Sequence, residues 1–396
     1  MLLYFLELLE RVWHIEPPAA FAYFSTRMLL SSITTLLVTI AFGPFLIRKL
    51  YGLKTGQSIR VEDCPMLARL HEKKRDTPTM GGTLMLGSMI LSLFLWMDLK
   101  SSFTWILLLT TLWLGILGGY DDYLKMKFKN AKGISAKRKL GLQLLLSLFI
   151  SLYLFWPQAT NAVKILKAPV AKEQVSSVTK TLKTQDYMSR YYLPFKKNPL
   201  FILTGAGILA GLFITGFVVT GCSNAVNLTD GLDGLASGLL VLSAGVLALF
   251  AFFSNNSEMA RYLNILYIEG SGEIAVYLCA LMGACLGFLW YNGYPAQVFM
   301  GDTGSLALGG VLGVSAVLLR RELLLAIVGA IFVAEALSVI LQVGSYKLRN
   351  KKRIFLCAPL HHHFEYKGWP ETKVVLRFWI VGLVLAMIGL ITLKFQ

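Results

Sequence analysis

The 396-residue sequence predicts an all-α polytopic membrane protein with ten transmembrane helices, and three observations carry that reading. Hydrophobic residues make up 56% of the chain and mean hydropathy is +0.62, values foreign to a soluble domain of this size. The apolar runs are each about 20 residues long, the length that crosses a bilayer as a helix. Lys and Arg collect in a few connecting loops instead of spreading along the chain.

The opening stretch, MLLYFLELLERVWHIEPP, lacks a basic leader and is interrupted by Glu7, Glu10 and Arg11. Residues 1–24 therefore read as an amphipathic segment at the membrane interface, ended by Pro17 and Pro18. Residues 25–396 form the membrane-embedded domain. Its expected spans are 25–47, 80–97, 103–120, 139–156, 199–219, 234–253, 273–291, 303–319, 323–343 and 374–394. Loop 48–79 is basic (Arg48, Lys49, Lys54, Arg60, Arg69, Lys73, Lys74, Arg75), as are loop 121–138 (Lys125, Lys127, Lys129, Lys132, Lys137, Arg138) and loop 344–373. With ten spans these loops share one side, which the positive-inside rule makes the cytoplasm, and both termini then face out. The opposite side has short connections and one long polar segment, 158–198, expected to be an outward insertion of no catalytic interest. Its lysines run against the rule, but long loops translocate largely regardless of charge. The net charge of +16 is compatible with nucleic acid, acidic lipid or an anionic substrate; the membrane setting favours the last two. Five cysteines show no paired framework, and Cys279 and Cys285, inside an apolar run, read as packing residues.

Every polar cluster falls on the expected cytoplasmic side. The stretch SNAVNLTDGLDGLA, 223–236, spaces Asn224, Asn227, Asp230 and Asp233 three apart, which puts them on one face of a helix. Polar groups this close to apolar spans are costly unless they meet water, a partner or a ligand. Asp121 and Asp122 end the third span with Lys125 one turn on; adjacent carboxylates repel, so they want a cation, a proton or plain solvent. Oxygen ligands without a Cys or His cluster fit Mg2+ better than zinc. Asp302, in FMGDTGS, opens the eighth span, where it could cap the helix or meet a hydrated metal or phosphate. His361, His362 and His363 cannot all face one way on a helix, so a three-ligand zinc site is excluded; two could reach a phosphate or a base. Lys74 precedes a Thr-Pro-Thr turn with two glycines and adds positive potential for an anion. Acids suited to magnesium, lysines, amides and histidines at one membrane surface point to phosphoryl transfer, with one phosphate carried by a lipid.

The stretches TPTMGG, GGYDDYLK, NAVNLTDGLDGLA, VFMGDTGS and PLHHHFE resemble those of the phospho-N-acetylmuramoyl-pentapeptide transferases, within the polyprenyl-phosphate N-acetylhexosamine-1-phosphate transferase superfamily. The resemblance runs from about Arg27 to the C-terminus. It implies ten transmembrane helices, a homodimer in the inner membrane and a Mg2+-dependent cytoplasmic site. That site would move phospho-MurNAc-pentapeptide from UDP-MurNAc-pentapeptide to undecaprenyl phosphate, giving lipid I and UMP. By the same resemblance Asp302 matches a magnesium ligand, and Asp121 and Asp122 match paired acids, one a base toward the lipid phosphate. Lys74, Lys125, Asn227, Asp230, Asp233, Asn292, Phe299, Gln342 and His362 match the nucleotide and diphosphate pocket, with Phe299 stacking on uracil and Lys137 near the diphosphate. Asp76 stands where the family usually has glycine, and 158–198 is longer than the family leads one to expect. A sister enzyme moving GlcNAc-1-phosphate to the same lipid is the alternative. A transporter fits less well, because its polar sites lie deep and in paired repeats, whereas no internal repeat is visible here.

Overall fold

The structure is a computed structural model that describes residues 12, 19–52, 74, 77–128, 133–162, 166–175 and 178–394. Most of the expected interfacial segment 1–24, Asp76 and much of loop 48–79 lie outside the described residues. Helices dominate: α1 Phe24–Gly52, α2 Gly82–Trp96, α3 Ser102–Lys127, α4 Ala136–Phe155, α5 Ile208–Thr229, α6 Leu235–Ser254, α7 Gly272–Asn292, α8 Gly301–Leu319, α9 Glu322–Val328, α10 Ala330–Leu348, α11 Leu360–Tyr366 and α12 Glu371–Ile391. Among the described residues nine helices are long and apolar enough to cross a membrane. The expected second span is shorter: α2 has 15 residues, about 22 Å of rise. The expected span 323–343 is split at Gly329 into α9 and α10. The expected span 199–219 begins instead as a strand and becomes α5 only at Ile208.

The core lies along α8, which is buried almost from end to end and packs against α3 and α5. Small residues permit this. An added Cβ on Gly309 would meet the Cys222 carbonyl at 2.7 Å, and one on Gly313 would meet that of Val218 at 3.1 Å, so backbones approach as bilayer helices do when interfaces carry glycine. The other faces of α1, α5, α10 and α12 are exposed and apolar, as lipid-facing surfaces are.

The insertion is folded, and the all-α expectation fails there. Strand β1 Val170–Val175 pairs antiparallel with β2 Val178–Leu182 and with β5 Tyr267–Glu269, while β3 Arg190–Tyr192 pairs antiparallel with β4 Pro199–Ile202. Two arginines fasten these strands to the helix bundle. Arg320, fully buried, lies 4.0 Å over the Tyr191 ring, donates from Nε to the Arg190 carbonyl at 3.0 Å and pairs with Glu322 at 2.7 Å. Arg321 lies over the Tyr192 and Phe250 rings. The insertion also marks one end of the bundle. Lys167 bridges to Lys100 and Ser102 at the start of α3, whereas Asp121 sits about 28 Å away along the same helix.

Candidate active site

Four helix ends converge at that far end. The last two turns of α3 carry Asp121, Asp122 and Lys125. The chain enters α8 through Gly301 at φ +73°, a left-handed turn that favours glycine, and Asp302 follows in the first turn. Asn227 comes from the last turn of α5 and Lys139 from the first turn of α4. Two bare backbone contacts allow the approach. A Cβ on Gly118 would meet the Asp302 carbonyl oxygen at 2.1 Å, and one on Gly82 would meet Gly304 N at 2.2 Å.

One oxygen from each of Asp121, Asp122 and Asp302 lies within 4.8 Å of the others. The three carboxylates have different surroundings. Asp122 caps α8: its Oδ1 accepts from Asp302 N at 3.2 Å, and its Oδ2 accepts from Thr303 N at 2.9 Å and Thr303 Oγ1 at 2.8 Å. Asp121 accepts from Ile134 N at 2.6 Å through Oδ1 and meets the Lys125 and Lys139 ammonium groups at 2.7 and 3.1 Å through Oδ2. Asp302 takes the same two ammonium groups at 2.9 and 2.6 Å on Oδ2, and Asn227 Nδ2 at 2.7 Å on Oδ1. Three carboxylates against two lysines leave one negative charge over. Beside them, burial first, then the charges of Asp302, Asp122 and Asp233, push the Asp230 carboxyl up to about 8. An all-oxygen donor set with surplus negative charge fits a hard divalent cation.

A second group adjoins it. Lys74 Nζ pairs with Asp233 Oδ1 at 2.6 Å and Glu371 Oε1 at 2.5 Å, and stands 6.0 Å from the ring centroids of Phe299 and Tyr294. Asn292 ties two loops together, accepting from Gly234 N at 2.9 Å and donating to the Val298 carbonyl at 2.9 Å. Phe299 is fixed through its backbone, which bonds Pro78 and Gly81.

The third group is a loop clamped by α10. Gln342 accepts from Ile354 N and Phe355 N, both at 3.0 Å, and donates to the Phe355 carbonyl at 3.0 Å. Glu335, fully buried, accepts from Leu360 N at 2.6 Å and His361 N at 3.1 Å. The three histidines diverge as expected. His361 is buried against Gly231, His362 Nδ1 meets Glu365 at 2.7 Å, and His363 Nδ1 accepts from Leu356 N at 3.1 Å.

One expectation needs correcting. The three-residue step from Asn224 to Asp233 is not one helical face, because α5 ends at Thr229 and Asp230 and Asp233 stand in the turn before α6. Asn224 lies one turn before Asn227 on α5 and donates to Gln143 Oε1 at 2.8 Å. The lysine turned toward the acids is Lys139, whereas Lys137 is exposed. Two further carboxylates, Glu335 and Glu371, escaped sequence reasoning. Glu335 had a signal, since an acid within an apolar span is a functional candidate by default; Glu371 reads only as an ordinary acidic first turn after Pro370.

Comparison with known proteins shows what the chain is similar to. Residues 104–320 match the family described as Glycosyl transferase family 4. The chain is 62% identical over the whole of both sequences to the phospho-N-acetylmuramoyl-pentapeptide-transferase of Protochlamydia amoebophila. It is 47% identical, over 94% of each chain, to the proteins of that name from Francisella tularensis subsp. novicida and Francisella philomiragia. A chain whose acids, lysines and amide meet at one end of the matched segment, and whose likeness to these relatives extends over its full length, belongs to glycosyl transferase family 4 and, within it, to the phospho-N-acetylmuramoyl-pentapeptide-transferases.

Proposed function

We propose that this chain transfers phospho-MurNAc-pentapeptide from UDP-MurNAc-pentapeptide to undecaprenyl phosphate, releasing UMP and forming lipid I, at the cytoplasmic face of the bacterial inner membrane. The observation that carries the reading is the convergence of Asp121, Asp122 and Asp302 with Lys125 and Lys139 at one end of membrane-length helices. Two polyanions must approach each other there. Unit charges about 4 Å apart repel by roughly 4 kcal/mol at an effective dielectric near 20, and phosphates carry more than one charge each. Neutralising groups are therefore a requirement of the reaction.

Asp302 would hold Mg2+, which when bound supplies charge neutralisation to the diphosphate. Lys125 and Lys139 would meet the diphosphate oxygens, the role the sequence assigned to Lys125 and Lys137. Asp121 would accept the proton of the lipid phosphate. The deprotonated oxygen of the lipid phosphate would then form a bond to the sugar-bearing phosphorus while the bond from that phosphorus to UMP breaks. Asp122 serves by holding the start of α8, and with it Asp302, in place. Lys74, Asp230, Asp233, Asn292 and Phe299 would form the nucleotide end, with Phe299 against uracil. Asn224, Gln342, His361, His362 and His363 would shape the walls where sugar and peptide lie. Ten spans with periplasmic termini, a periplasmic insertion at 158–198 and a homodimer complete the proposal.

The test is UMP release by purified protein with magnesium. Release from UDP-MurNAc-pentapeptide only when undecaprenyl phosphate is present is the expected result. Release from UDP-GlcNAc in its place would move the assignment to the sister reaction.

A further inference from the structure

Glu371 opens the last span, α12, and its hydrogen bonds end on the nucleotide side of the site. Its Oε1 accepts from Lys74 Nζ at 2.5 Å and from Asp233 N at 2.7 Å. Asp233 in turn accepts from Lys74 at 2.6 Å and from Ala296 N at 2.9 Å. The two carboxylates together thus join four segments: residue 74, the turn before α6, the loop carrying Tyr294 and Phe299, and the start of α12. A carboxylate is an odd choice near a polyanion unless its task is to hold a cation and a backbone. Lysine has a flexible stem and three donors, so two carboxylates leave one donor direction and a fixed position between two rings. Ordering these groups before a ligand arrives removes that cost from binding.

We propose that Glu371 is a positioning residue for nucleotide recognition, acting through Lys74 and the Asp233 backbone and not on the reacting phosphates. This rests on the reading above that Lys74, Asp233 and Phe299 receive the nucleotide. Glu371→Gln keeps an acceptor but loses the charge, and Glu371→Asp is one methylene too short to reach both donors.

The experiment is a kinetic split on full-length protein in detergent. For Glu371→Gln and Glu371→Asp, KM for UDP-MurNAc-pentapeptide is expected to rise about tenfold or more. Within the same data kcat stays within about threefold, and KM for undecaprenyl phosphate and the magnesium optimum stay unchanged. A double-mutant cycle with Lys74→Ala separates positioning from general damage: with Lys74 absent, Glu371→Gln adds less than about twofold. Unchanged KM for the nucleotide substrate, equal rises for both substrates, or full additivity with Lys74→Ala each overturn the inference. Wild-type protein that turns over while Glu371→Gln keeps its KM defeats this inference alone. Wild-type protein that releases no UMP with both substrates present defeats the function on which it rests.

Discussion

Asp121 and Asp122 are neighbours in sequence and both buried, yet replacing them should have different consequences. Asp122 satisfies two backbone N–H groups and one hydroxyl at the start of α8. Hydrogen bonds to a charged acceptor contribute about 1.5–3 kcal/mol each and do not add fully, and an unmet buried N–H costs about 1–3 kcal/mol. Losing an N-cap alone costs about 0.5–2 kcal/mol. Asp122→Ala should therefore destabilise the protein by about 3 kcal/mol, and Asp122→Asn, which keeps one acceptor, by about half that. Asp121 meets a single backbone N–H, from Ile134, and two lysines that keep Asp302 as a partner when it is gone. Asp121→Asn should cost about 1 kcal/mol or less. Each kcal/mol moves the melting midpoint by roughly 2–4 °C in a protein of a few hundred residues. Both substitutions should remove most UMP release, so the assay that separates them is thermal unfolding in detergent. Asp122→Ala should melt several degrees lower, and Thr303→Val should follow it in part because it deletes one of the same bonds. Equal melting for Asp121→Asn and Asp122→Ala, or an Asp122→Asn protein as stable as wild type, would refute the division into a capping acid and a reacting acid.

Other outcomes follow from the same contacts. Asp302→Asn should abolish turnover even at saturating magnesium, because a neutral amide is a far poorer ligand for a hard cation; near-normal rates would remove it from the metal site. Lys139→Ala should lower kcat/KM about 100-fold and Lys137→Ala less than threefold, since Lys139 alone of the two meets Asp121 and Asp302; steady-state kinetics with equal losses would reject that choice. Cysteines placed in 121–138 and 344–373 should resist impermeant thiol reagents added to intact cells, while those in 178–198 should label; labelling of 121–138 from outside would invert the topology. Arg320→Ala should strip the insertion from the bundle, because Glu322 then loses its buried partner, a change that costs about 3–5 kcal/mol. Limited proteolysis within 158–198 reads this directly, and Arg320→Lys should not restore resistance, since a lysine lacks the planar group that lies over Tyr191.

The spans were legible because hydropathy and length decide them with little help from tertiary contacts. The boundaries that failed did so for local reasons: Pro199–Ile202 is apolar enough to read as helix but pairs with Arg190–Tyr192 as a strand, and Gly329 interrupts an otherwise continuous apolar run. The acids could be picked out, since carboxylates next to apolar spans demand a reason. Their separate tasks could not, because nothing in the order Asp-Asp says which side chain turns toward α8 and which toward Lys139. Lys137 and Lys139 differ by 200° around a helix, so the exact start of α4 decides which one enters the site. Glu371 acquires its meaning from Lys74, nearly three hundred residues earlier, and from the Asp233 backbone.

The close passage of α3 over α8 at Gly118 has a mechanical side. The gap between Asp122 and Asp302 is set by main chain lying on main chain, not by rotamers that could adjust one at a time. The acid cradle therefore behaves like the jaw of a vice whose screw lies below it, among the helices. Sliding one helix along the other by a fraction of a turn moves Asp302 toward or away from Asp121 and Asp122 together. A cation gripped in the jaw would in turn brace the two helices against sliding.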